Sequence, residues 1–115
     1  LRYHGSSPII SQLHSEGIIT ARAFTQNPTF EAATLFAQTE GFIVAPESAH
    51  AVKAIVDEAL RCKNTGEEKV LVFNNSGHGH FDLAAYDAYY EQKLTDFQYP
   101  TELVKQATAE LPHIP

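Results

Sequence analysis

The sequence predicts an α/β fold in which parallel strands alternate with helices. Two observations carry that expectation. Short apolar or alternating runs at residues 18–24, 42–44 and 70–73 are separated by stretches of helical periodicity, an order that implies parallel pairing through right-handed crossovers. Residues 69–82, K-V-L-V-F-N-N-S-G-H-G-H-F-D, run from an uncharged strand into a Gly-rich polar turn and then into a helix. Open α/β sheets place ligands at such a junction.

The elements follow in order. Ser6 and Ser7 before Pro8 mark a helix start, Ile9, Ile10 and Leu13 supply its apolar face, and Gly17 closes it. Residues 18–24 read as the first strand, with Ile19, Ala21 and Ala23 alternating against Thr20, Arg22 and Phe24. Residues 25–28 open a second helix that runs to about Thr39, with Phe30, Ala33, Ala37 and Leu35 or Phe36 inward, and Gly41 ends it. Residues 42–44 form a very short strand before Ala45-Pro46. The third helix is the clearest. Val52, Ile55, Val56, Ala59 and Leu60 fall at i, i+3, i+4, i+7 and i+8, and Asn64-Thr65-Gly66 stops it. A fourth helix follows Asp82, with Leu83, Tyr86, Tyr89 or Tyr90, and Leu94 inward. Residues 96–100 read as a linker and 101–111 as a last helix. Three strands are few for a parallel sheet, which is normally covered on both faces. The chain also begins mid-pattern at Leu1 without Met, so the sequence reads as a piece of something longer.

Composition narrows the function. A chain of 115 residues, 43% hydrophobic and 19% charged, is a globular domain and not a disordered one. A formal net charge of -6 argues against nucleic acid and against a polybasic membrane contact. One cysteine, Cys62, has no internal disulfide partner, which points to the cytoplasm. No apolar run is long enough to cross a bilayer, and no signal-peptide pattern is present.

Three constellations bear on chemistry. Residues 76–80, S-G-H-G-H, offer a hydroxyl, Ser76, and glycine N–H groups that could face an anion or a flat ring; the bland alternative is an ordinary turn with Gly for positive φ. Residues 78–82 also read as H-x-H-x-D, which resembles the first metal cluster of the metallo-β-lactamase fold. Leu83 stands where that pattern has a further histidine, and His4, His14, His50 and His113 supply no matching ligand set. Residues 46–50, P-E-S-A-H, put Glu47 at a helix N-terminus, where the dipole favours a carboxylate, and at the same sheet edge as Ser76. Cys62 reads as packing, the tyrosines at 86, 89 and 90 as helix packing with wet hydroxyl ends, and all five lysines as solvated surface.

Taken together, residues 40–51, E-G-F-I-V-A-P-E-S-A-H-A, and 72–82, V-F-N-N-S-G-H-G-H-F-D, resemble the C-terminal part of the tryptophan synthase β chain family. The L-R-Y-H-G opening at residues 1–5 matches too, and the combination is closer to the "β2-like" branch. The common branch tends to have an aspartate at Arg2 and S-G-R-G-D-K-D at residues 76–82. The resemblance spans roughly residues 1–94, read as the C-terminal portion of a catalytic domain. Residues 95–115 form an extension beyond it.

The resemblance implies a pyridoxal-phosphate enzyme of fold type II that condenses L-serine with indole. Ser76 matches the serine that hydrogen-bonds the pyridine nitrogen, Glu47 the glutamate beside the cofactor ring, and Gly77 belongs to the same wall. Tyr3 and Gly5 match residues whose backbone carbonyls bind a monovalent cation, and Arg2 stands where the common branch contacts serine. The Schiff-base lysine, the phosphate loop and the catalytic glutamate of the family match nothing in these 115 residues, so the chain alone is expected to be inactive. The parent is expected to be a homodimer, with an α subunit an open question. A serine or threonine dehydratase and a non-catalytic module are the rival readings.

Overall fold

The computed structural model describes residues 5–97 and 100–109. Five helices are seen among them: α1 (Pro8–Ser15), α2 (Gln26–Glu40), α3 (Pro46–Thr65), α4 (Leu83–Tyr90) and α5 (Thr101–Ala109). Each follows from local chemistry. Pro occupies the first turn of α1 and of α3, where its missing N–H is not needed. Gly41 and Gly66 end α2 and α3 in the left-handed region, at φ 69° and 71°.

The core sits between α2, α3 and α4. Phe30 and Ala33 from α2, Ala49 and Val52 from α3, and Tyr86 from α4 close around the fully buried Val44. Tyr86 meets the Phe30 ring edge-on at 5.0 Å, and its hydroxyl donates to Val44 O at 2.6 Å. That bond ties α4 to the segment before α3. The inward face expected for α2 is the observed one, with Ala32 added and Leu35 turned outward. On α3, Val52 is buried and Val56 packs against the core, whereas Leu60 lies exposed. On α4, Tyr86 and Tyr89 pack inward and Leu83 and Tyr90 stay exposed. Cys62 is buried, as a packing residue should be. Among the described residues the apolar face of α1 has no packing partner: the helix buries no residue, and Ile9 and Ile10 are exposed.

The expected strands differ. Among the described residues no strand is formed, and the pairing consists of one isolated antiparallel bridge, Val44 with His78. Residues 70–73 are extended and alternate as a strand would. Leu71 and Phe73 turn toward the helices, with Phe73 edge-on to Phe36 at 5.8 Å, while Val70 and Val72 are 92% and 86% exposed. A parallel strand needs neighbours on its edges and cover on both faces. Here α2 and α3 cover one face only.

Candidate functional site

The turn at residues 74–80 is docked against residues 43–48. Ala45 N–H donates to Gly77 O at 3.0 Å, and Gly79 N–H donates to Ile43 O at 2.8 Å. The glycines are needed for this approach, and neither has positive φ. A Cβ on Gly77 would lie 3.3 Å from Ala45 Cβ; one on Gly79 would lie 2.8 Å from Ile43 Cγ2 and closer still to Val44 O. Both bland and functional expectations for these glycines change accordingly. They are not positive-φ turn residues, and the Gly79 N–H faces protein.

The docked turn brings Ser76 to α3. Ser76 Oγ lies 3.1 Å from Ser48 Oγ. Ser76 is exposed and Ser48 is 2% exposed, so the pair runs from the interior to the surface. Ser48 is the third residue of α3, and Glu47, exposed in the first turn, precedes it. The structure therefore brings Ser76, Gly77 and the start of α3 with Glu47 to one edge. A buried hydroxyl without a partner costs about 1–3 kcal/mol. Among the described residues, Ser76 is the partner of Ser48.

The histidines split. His50 holds Pro46 O through Nδ1 at 2.9 Å inside the first turn of α3. His78 and His80 are exposed, with rings 4.9 Å apart, and His80 N–H donates to His78 Nδ1 at 3.3 Å. Among the described residues no three His, Cys, Asp or Glu side chains gather as a metal site. Gly5 is exposed; Arg2 and Tyr3 lie outside the described residues.

Two features were missed in the sequence. Ser48 had a visible signal, a small polar residue at a helix start among residues with apolar neighbours. Asp96 had none: its Oδ1 accepts from Asn27 N–H at 2.9 Å, across 69 residues of chain, and caps α2 where Thr25 makes no side-chain cap bond. That bond holds the Asp96 carboxyl below its usual value. Away from the edge, an open groove of about 460 Å³ runs between α3 and residues 70–74, with Arg22, Ile55, Glu58 and Val72 among its walls. Glu58 there binds Arg61 at 2.7 Å and Lys69 at 3.2 Å, and these bonds bring its carboxyl down to about 2.

The edge therefore carries the Ser76 hydroxyl, backed from the interior by Ser48, on a turn held by Gly77 and Gly79 against the segment that leads into α3. No family model matches the chain. Among curated proteins, tryptophan synthase beta chain 2 of Aquifex aeolicus is 60% identical over 96 residues, which cover 84% of this chain and 22% of the relative. The chain 2 protein of Methanosarcina acetivorans is 56% identical over 94 residues, 82% of this chain and 21% of the relative. The tryptophan synthase beta chain of Pyrococcus horikoshii is 53% identical over 98 residues, 85% and 21%. These residues thus correspond to a segment of tryptophan synthase β chains. The chain belongs to the tryptophan synthase β chain family and spans about a fifth of the length of the curated relatives it matches.

Proposed function

We propose that the chain is one wall of the cofactor site of a pyridoxal-phosphate enzyme that condenses L-serine with indole to L-tryptophan and water. The observation that carries this reading is the Ser48–Ser76 pair, which presents a neutral hydroxyl beside the turn that holds Glu47. The family of the relatives supports it. When bound, pyridoxal phosphate supplies the electron sink for replacement at the serine β-carbon. Ser76 would donate a hydrogen bond to the pyridine nitrogen. As a neutral partner it would leave that nitrogen without a proton, which suits replacement at the β-carbon. Glu47, in the first turn of α3, would line the ring, and Gly77 would hold the turn that presents Ser76 to it through its bond to Ala45.

The lysine, phosphate loop and catalytic glutamate come from the rest of the β chain in this reading. Four of the five lysines here, Lys53, Lys69, Lys93 and Lys105, stand in surface ion pairs. The rest of the β chain also completes the sheet, covers Val70 and Val72, and builds a fold-type II domain. A cytoplasmic homodimer belongs to the same proposal. The test is the full-length β chain assayed with L-serine, with and without indole. Tryptophan formed only with indole supports the reading. Pyruvate from serine with no tryptophan replaces it with a dehydratase.

A further inference from the structure

We infer that Ser48 is a positioning residue that fixes the direction of the Ser76 hydrogen bond by donating its own proton to Ser76 Oγ. The inference rests on the proposed role of Ser76 toward the pyridine nitrogen. A hydroxyl pair can be ordered in two ways. Were Ser76 to donate inward, Ser48 Oγ–H would need another acceptor within the protein. Ser48 is 2% exposed, and among the described residues its hydroxyl has Ser76 as partner. Donation from Ser48 to Ser76 uses both protons: the inner one closes the buried bond and the outer one points to the open side. Ser76 then meets an unprotonated ring nitrogen as a donor, and the rotor that carries its proton is held by α3. Gly77 and Gly79 keep the turn close enough for the 3.1 Å contact, through their bonds to Ala45 and Ile43.

The test uses the full-length holoenzyme loaded with pyridoxal phosphate labelled with ¹⁵N in the ring. Wild type is compared with Ser76→Ala, Ser48→Ala, Ser48→Cys and Ser48→Thr, with cofactor content and melting temperature recorded for each. Ser76→Ala should move the ring-nitrogen resonance. Ser48→Ala should move it in the same direction by a smaller amount, Ser48→Cys should follow it, and Ser48→Thr should restore the wild-type position. Cysteine nearly preserves the buried volume, so it carries the test if the alanine variant does not fold. No movement in Ser76→Ala removes the role of Ser76 itself. Movement in Ser76→Ala with none in Ser48→Ala or Ser48→Cys overturns the inference alone. A Thr variant displaced as far as the Ala variant also overturns it, since packing would then explain the effect.

Discussion

Gly79 leaves no room for a side chain, because its N–H must reach Ile43 O while Val44 O and Ile43 Cγ2 press on the place a Cβ would take. Gly79→Ala should therefore lower stability by about 1–3 kcal/mol through overpacking, and Gly77→Ala by less. The urea-unfolding midpoint of the chain reads both. Tyr86 is the second residue on which the site's frame depends. Tyr86→Phe removes the donor to the buried Val44 O and should cost about 1–3 kcal/mol, on the same assay. Burial, with Asp82 nearby, pushes the Tyr86 phenol up to about 12, so it stays a neutral donor across ordinary pH. At this scale the sequence singles out residues but not their surroundings. Ser76 and Glu47 stand out as polar groups at element ends. That Gly79 is a contact glycine and Ser48 a buried hydroxyl partner depends on residues about 30 positions away in sequence, which no local pattern encodes.

The helices were legible because their signals are local. The stripe of α3, the prolines at helix starts and the glycines at helix ends each act within one or two turns. The extended segments were legible as apolar runs, but their pairing was not, since register and partners are non-local. Residues 96–100 read as a linker for the same reason, although Asp96 caps α2 from a distance. One element carries a pH dependence. The far end of α3 is fastened to residues 67–69 by Glu58, Arg61, Glu67 and Lys69. The folded Glu58 carboxyl titrates at about 2, down from 4.5, first through its hydrogen bond to Arg61 and then through Lys69. Its contribution is thus complete above 4.5 and is lost as pH falls from there toward about 2. Glu67 and Asp96 are shifted in the same direction. Stability should fall over this acid range, and Glu58→Gln should flatten part of the fall. Thermal melts of the two proteins across that range check it. A Glu58→Gln profile parallel to wild type would count against the network.

Taken as a whole, the molecule has a helical layer with one finished side. Val70 and Val72 are almost fully exposed on an extended segment whose other face packs inward, and Phe81, Ile9 and Ile18 add further exposed apolar area. Exposed apolar surface of this kind drives association. The chain by itself should self-associate in sedimentation velocity, and replacing Val70 and Val72 together with threonine should reduce it. The same double change in the full-length β chain should instead destabilise, because in the proposed complete fold these residues would face a covered sheet. On the proposed reading the Schiff-base lysine lies elsewhere in the β chain, so this chain should hold no covalent cofactor, and this tests the central claim most directly. The isolated chain is mixed with pyridoxal phosphate, reduced with borohydride and mapped by mass spectrometry. The account predicts no stoichiometric adduct on any single lysine and no tryptophan from serine and indole. One lysine trapped in full stoichiometry, with turnover, would contradict it.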